Sequence, residues 1–352
     1  MIVLAGDIGG TKTLLQLSTI KILDKKASKM QVLCEQRYKS TDFKSFSTLL
    51  DVFISQAREK CSAYDLKPDF KIATACLAIA GPIQDKTAKV TNLPWLIKAN
   101  DLKTAFDIDQ VELINDFKAV AYAIEATAEK DLCILQRGKV VAKAPKVVIG
   151  AGTGLGSAFL FYDGLQYQVF SSESSHVAFA PINDLEMQLL VYLQQQYQQV
   201  SYEHIVSGMG LVNIFNFLHS INSHPLSAEF SQALKTGDQA ALISQFALEK
   251  KEPIAEQSLD IFTQIYARQA ANLALCSLAY GGVYIAGGIA PKIIKKLQQK
   301  EFLDYFKNNS NMGHLLEDLP ITVLMNEKSG LIGASVVATR CISTIVVRVA
   351  SK

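Results

Sequence analysis

No C-x-x-C pair occurs in these 352 residues, and the six cysteines (Cys34, Cys61, Cys76, Cys133, Cys276, Cys341) are widely scattered. That spacing argues against a zinc or thiol-redox site. Four of the six sit among apolar residues, as small core fillers do. Reduced thiols point to the cytoplasm. An excess of charge of one sign is also lacking: 35 basic and 33 acidic residues leave a net charge of +2. Such near-balance gives no sign of a nucleic-acid or membrane surface. The mixed run Leu23-Asp24-Lys25-Lys26 is expected as a solvated turn. A signal peptide is not expected, because a glycine turn starts by Gly6 and leaves no room for one. One stretch, between Arg268 and Lys292, lacks charge over a length that could span a bilayer. Asn272, Gly281, Gly282, Gly287 and Gly288 interrupt it, and Pro291 follows. The expectation is a buried helix (Ala270 to Tyr280), a short strand (Val283 to Ala286) and a glycine turn.

What the chain does have is one glycine turn twice over. The first copy is Ile2-Val3-Leu4-Ala5-Gly6-Asp7-Ile8-Gly9-Gly10-Thr11-Lys12-Thr13. The second is Val147-Val148-Ile149-Gly150-Ala151-Gly152-Thr153-Gly154-Leu155-Gly156. Each enters on an apolar run, turns through glycines and a threonine, and leaves on another apolar run. That pattern predicts two β-hairpins with backbone N–H groups facing into the turn. Clustered N–H groups bind anions, phosphate above all. Two copies point to two lobes gripping one polyphosphate from opposite sides. A Walker loop is excluded, because Thr11 separates Gly10 from Lys12. The second turn has glycines at alternate positions and leads into a strand, unlike a dinucleotide loop.

A hydrophobic content of 49% allows large cores, and the length predicts about two domains. After the first hairpin the sequence predicts a strand from Met30 to Tyr38. An amphipathic helix follows, with Phe46, Leu49, Leu50, Phe53, Ile54 and Ala57 on one face and Thr41 or Asp42 as its cap. Ile72 to Ile79 and Val111 to Ile114 are expected strands, with a helix from Lys118 to Glu125. The second lobe repeats the plan, with helices at Asp184 to Tyr197, Gly210 to Leu218 and Leu259 to Leu278. Ser329 to Ser335 predicts a turn into a helix, and Thr344 to Val349 has the composition of a strand. Alternating strands and helices make each lobe α/β. The expected division is 1–115 with 326–352, and 116–325.

Asp116 follows a predicted strand, at the carboxyl end where α/β sheets place ligands. A carboxylate there can take a proton from a substrate hydroxyl. An ordinary helix N-cap fits the same position, and both readings stand. Glu173 and His176 lie in a polar segment between strand-like runs and could bind sugar hydroxyls; a lone histidine is more often structural. Glu203 could simply favour the first turn of a helix.

With these segments in hand, the chain resembles the bacterial glucokinase family, of the actin/hexokinase/Hsp70 ATPase fold. The resemblance rests on Gly6-Asp7-Ile8-Gly9-Gly10-Thr11, Ile114-Asn115-Asp116-Phe117, Gly150 to Gly156, His176 to Pro181, Val206 to Asn213 and Ile285 to Pro291. It implies a two-lobed α/β kinase with a cleft between the lobes, using ATP and Mg²⁺ to phosphorylate D-glucose at its 6-hydroxyl. Asp116 would be the base. Asn115, Glu173, His176 and Glu203 would bind the sugar. Gly6, Asp7, Ile8, Gly9, Gly10 and Thr11, with Gly152, Thr153 and Gly154, would hold phosphates. Gly287 and Gly288 would lie against the adenosine, and Asp7 would orient Mg²⁺ through water. The implied partners are a sugar and a nucleotide in the cytoplasm, with no nucleic acid or membrane; a homodimer stays open. The related repressor/kinase sugar-kinase family shares the Asp-Ile-Gly-Gly-Thr-Lys turn but carries a cysteine-rich zinc motif that is missing after His176. This chain has Glu173-Ser174-Ser175-His176-Val177-Ala178-Phe179 where the family usually has Glu-Gly-Gly-His-Val-Asp-Phe. Serine resists backbone angles that glycine permits, so the sugar loop is expected to sit differently. A kinase for another hexose or amino sugar, a sugar sensor without turnover, and a protein-binding ATPase are the rival readings.

Overall fold

A computed structural model of the chain describes residues 1–24, 27–59, 67, 69–222 and 225–350. It divides into two compact units, Met1–Ala128 with Asn326–Lys352, and Glu129–Met325. The boundary therefore falls after Ala128, not after Asn115. The helix that Asp116 opens stays with the first unit because it packs against the C-terminal helix. Packing there is close: a Cβ on Gly333 would overlap the Ala119 carbonyl.

The first unit holds a five-stranded sheet in the order β3-β2-β1-β4-β8. β1 (Ile2–Ile8) and β2 (Lys12–Asp24) form the first expected hairpin, with Ile8 opposite Thr13. β3 (Ala27–Lys39) extends it, and Lys25 and Lys26 lie outside the described residues. β4 (Ile72–Ile79) runs parallel to β1. A small three-stranded sheet follows, β5 (Ile83–Gln84), β6 (Thr87–Lys89) and β7 (Leu96–Lys98). β8 (Gln110–Asn115) then runs parallel to β4.

Helix α1 (Phe46–Glu59) buries the predicted stripe from Phe46 to Ala57. Its cap is Ser45, whose Oγ accepts the Thr48 N–H at 3.2 Å. Thr41 and Asp42 belong instead to a separate 3-10 turn. α2 spans Ala99–Ala105, and α3 (Asp116–Ala123) starts two residues earlier than expected. The C-terminal helix, Ser329–Ala350, corrects the reading of Thr344–Val349 as a strand. Its β-branched residues have strand propensity, but no Gly or Pro separates them from a helix already propagating. That helix lies on the sheet, where the Thr74 hydroxyl donates to Ala338 O at 2.8 Å. The core here includes Leu4, Ile8, Leu15, Leu49, Phe53 and Trp95.

The second unit has a six-stranded sheet, β12-β11-β10-β13-β14-β9. After β9 (Leu132–Gln136), β10 (Lys146–Ala151) and β11 (Leu155–Tyr162) form the second hairpin, with Ala151 opposite Leu155. β12 (Tyr167–Ser172) pairs with β11, while β13 (Gly282–Ala286) runs parallel to β10 and β14 (Ile321–Leu324) parallel to β13. In each sheet the hairpin and a third antiparallel strand lie on one side of β1 or β10 and parallel strands on the other, with β9 added antiparallel to β14 at the edge of the second sheet.

The helices of this unit are α4 (Asp184–Leu193), α5 (Gly208–Ile221), α6 (Ala228–Thr236), α7 (Gln239–Leu248) and α8 (Pro253–Ser277). Three short ones follow, α9 (Ile294–Leu297), α10 (Lys300–Lys307) and α11 (Gly313–Asp318). The uncharged stretch is the second half of α8, then β13 and a turn. Among the described residues no helix is long and apolar enough to cross a membrane.

Candidate active site

In the first unit the glycine turn joins β1 to β2. Gly9 N–H donates to Lys12 O at 2.9 Å and closes it. Among the described residues no acceptor is bonded to the N–H groups of Gly10 or Thr11, which leaves them for an anion. Ser40 holds the turn from behind: its hydroxyl donates to Gly9 O at 2.8 Å and its N–H to Thr11 O at 3.0 Å. Sequence reading missed Ser40, whose role depends on β3 returning beside the turn. Gly6 and Ile8 lie within β1. Gly6 is paired on both sides and has leucine side chains where its Cβ would be, and Ile8 is in the core. A Cβ on Gly10 would lie 2.7 Å from Thr91 O, so this glycine is required by the fold itself.

Asp7 projects from the last part of β1. Burial and then the charge of Asp116 push its pKa up to about 6, and Lys12 pulls it partly back. Two acids are therefore within electrostatic reach of each other in one unit.

The end of β8 separates the two readings of Asp116. The cap of α3 is Asn115, whose Oδ1 accepts the N–H groups of Phe117 (3.0 Å) and Lys118 (3.2 Å). Asp116 Oδ1 accepts the Phe117 N–H at 2.8 Å. Burial raises its pKa, against the pull of nearby N–H groups and of the Asn115 side chain. The side-chain carbonyl of Asn115 serves the helix and its amide group acts on Asp116, which leaves the second amide hydrogen for a sugar.

In the second unit Gly152 N–H donates to Gly154 O, and Gly208 N–H to Gly152 O, both at 2.8 Å. Tyr266 of α8 supports the turn from below: its hydroxyl accepts the Ala151 N–H at 3.2 Å. Gly287 has φ +83°, and a Cβ there would overlap Ala151 O; nothing lies within 4 Å of a Cβ on Gly288.

Glu203 sits in the 3-10 turn Tyr202–His204. Its Oε2 accepts the Leu155 N–H at 2.8 Å, so it is tied to the glycine hairpin. His176 Nε2 lies 3.7 Å from Glu173 Oε2, and both side chains are exposed. His204 feels the charges of both Glu203 and His176, while burial keeps its pKa below the usual value. Its Nδ1 accepts the Ser201 N–H at 3.1 Å, and its ring stacks on Tyr197. His204 is thus within electrostatic reach of Glu203 and His176, and Glu173 lies beside His176. Ser174 and Ser175 lie in a 3-10 turn with neither residue at positive φ, so serine fits this loop without backbone strain.

A pocket of about 850 Å³ opens beside the hairpin, lined by Gly152, Thr153, Gly208, Gln245, Gly288 and Lys292 among others. It connects the glycine turn, the amino end of α5 and one face of α7. The α7 wall and Lys292 were not read from the sequence, because no phosphate-type motif marks them. Ser207 caps α5, accepting the Gly210 N–H at 3.0 Å. Among the described residues no group of three or more His, Cys, Asp or Glu could hold a metal ion.

The family model for glucokinase matches residues 4–341. Glucokinase of Trichormus variabilis is 41% identical over 352 residues, covering 96% of this chain and 99% of its own length. Among solved structures, glucokinase from an Antarctic psychrotroph has a TM-score of 0.81 at 29% identity, covering 96% of this chain and 99% of its own. A ROK family glucokinase from Streptomyces griseus, in complex with glucose and AMPPNP, shares the fold at a TM-score of 0.60 and 18% identity, covering 97% and 100%.

Proposed function

The chain belongs to the glucokinase family, and from that premise we propose how its own residues carry out ATP-dependent phosphorylation of glucose. Asp116 accepts the proton of the sugar 6-hydroxyl as that oxygen attacks the γ-phosphorus. The new O–P bond forms as the bond to the β-phosphate oxygen breaks, and ADP leaves. Burial raises its pKa and so gives Asp116 a higher proton affinity than an exposed aspartate, as a base needs. The amide of Asn115, with Glu173, His176 and Glu203, binds sugar hydroxyls. The N–H groups of the two glycine turns take the phosphates, and positioning supplies most of the acceleration. The pocket walled by α5, α7 and Gly288 takes the adenosine.

Mg²⁺ accompanies the nucleotide in this reading. That ion needs only one or two protein carboxylates besides phosphate and water. Asp7 fits: its proton affinity is raised by burial and then by a second acid, so its carboxylate is short of positive charge. It would hold the ion through water, and a bound ion would supply charge stabilisation for the transferring group. Use of ATP fits an enzyme of the cytoplasm.

The observation that supports the mechanism is that Asn115 caps the helix, so Asp116, whose Oδ1 accepts the adjacent Phe117 N–H, is not required as the cap. The experiment is coupled ADP release with ATP-Mg²⁺ against a panel of hexoses. Glucose-dependent release is expected in the wild type and its loss in Asp116→Asn. Equal turnover by the two proteins would remove Asp116 as the base.

A further inference from the structure

Two of the three proposed sugar contacts in the second unit, Glu173 and His176, are exposed at 88% and 59% of their side-chain area. Packing around those side chains therefore does not hold them; their order comes from the turn beneath. That turn is attached through hydroxyls. Ser157 Oγ and Ser174 Oγ are 2.6 Å apart, a short hydroxyl–hydroxyl bond. Ser157 is buried and pairs with Ser172 in the β11–β12 ladder, and its hydroxyl also lies 3.3 Å from Ser172 O. The Ser174 N–H donates to Ser172 Oγ at 3.1 Å. Three serines thus lock the exit of β12 onto β11. Two residues before Ser157 on the same strand is Leu155, whose N–H is held by Glu203. One short strand therefore carries both the carboxylate of Glu203 and the Glu173–His176 turn.

We propose that Ser157 and Ser174 are positioning residues for the hexose, with their hydroxyl pair fixing the Glu173–His176 turn to β11. A glycine at 174 has no hydroxyl to make this bond and allows more backbone freedom. The serine that departs from the usual family loop is then a device that orders the loop before sugar arrives. Ordering before binding lowers the entropy lost on binding and strengthens affinity. The proposal rests on the reading of Glu173 and His176 as sugar contacts.

The test is a double-mutant cycle with Ser157→Ala, Ser174→Ala and the pair, beside Glu173→Ala and His176→Ala. Hexose KM, ATP KM and kcat are measured for each, with thermal unfolding as a check on the fold. Each serine variant is expected to raise hexose KM roughly two- to tenfold, the scale of one partly buried hydrogen bond. ATP KM and kcat should stay near wild type, and the double variant should be no worse than the poorer single. Unchanged hexose KM, effects that multiply in the double variant, or an equal rise in ATP KM would each overturn the proposal. If Glu173→Ala and His176→Ala leave hexose KM unchanged, the sugar-contact reading itself fails and takes the proposal with it. If those two raise it and the serine variants do not, only the serine proposal fails.

Discussion

A Cβ on Gly330 would lie 2.9 Å from the carboxyl carbon of Asp7. Gly330 is the second residue of the C-terminal helix, so the first turn of that helix packs directly on the acid. Gly330→Ala must therefore displace either the carboxyl group or the helix. We expect kcat to fall at least tenfold, since small misplacements in an active site have large effects. Gly237→Ala, whose Cβ would meet the flexible end of Leu242 at 2.8 Å and otherwise Ala233 O at an ordinary 3.5 Å, serves as a control far along the sequence. Steady-state kinetics of both variants check this; near-normal kcat in Gly330→Ala would show that Asp7 need not stay in place.

Asp7 also predicts a pH dependence. Its pKa of about 6 in the fold lies above its ordinary value of 3.8. A raised acid favours the folded state when protonated. Its contribution is full below about pH 4 and is lost as pH rises through about 6, by roughly 3 kcal/mol at most. Asp7→Asn should therefore be more stable than wild type at pH 7.5, with the gap closing towards pH 4, while turnover falls severely. Thermal unfolding across that range decides it; a variant less stable than wild type at pH 7.5 would contradict the assignment.

Asn115 and Asp116 separate structure from chemistry at adjacent positions. Asn115→Ala removes the cap of α3 and should cost about 1 kcal/mol of stability. Asp116→Asn keeps the cap, so the melting temperature should change little while kcat falls roughly 10²- to 10⁴-fold. Calorimetry and kinetics on the same two proteins check the split. Loss of stability in the Asp116 variant without loss of turnover would reverse the roles.

The sequence displayed both hairpins, because an apolar strand, a glycine turn and an apolar strand is a local pattern. It also displayed the α1 stripe, whose spacing follows from helix geometry. What it could not display depends on distant segments. Glu203 meets Leu155 across 48 positions, and Tyr266 reaches Ala151 across 115. Ser40 supports the first turn only because β3 brings it back. The choice between Asn115 and Asp116 as cap needed side-chain geometry, since both residue types cap helices well. The C-terminal tail was misread because β-branched residues favour strands locally, while propagation from Ser329 decides otherwise.

Neighbouring glycines on the adenosine side should behave differently. Gly287 has positive φ and no room for a Cβ, so Gly287→Ala should lower stability by more than 1 kcal/mol. Gly288 has open space and lines the pocket. Gly288→Leu should fold normally and raise the KM for ATP about tenfold by filling nucleotide space, with glucose KM near wild type. If the two variants melt alike and bind ATP alike, Gly288 does not face the nucleotide.

Arg268 of α8 and Glu186 of α4 form a buried two-pronged ion pair, with contacts of 2.7 and 2.6 Å. Glu186 also accepts the Ile182 N–H at 3.0 Å and the Asn183 amide at 3.0 Å, so it fixes the segment that leaves the sugar loop. Arg268→Met would leave a buried carboxylate without its counter-charge and should cost about 3–5 kcal/mol. Glu186→Gln on that background removes the charge while keeping the acceptor for Ile182, so the double variant should regain much of the loss. The pair would then be a linked unit, with a coupling larger than any surface ion pair gives. Chemical denaturation of wild type, both singles and the double measures it directly. Additive losses would mean that α8 and α4 are held by apolar packing alone, and the ion pair adds nothing to the placement of the loop.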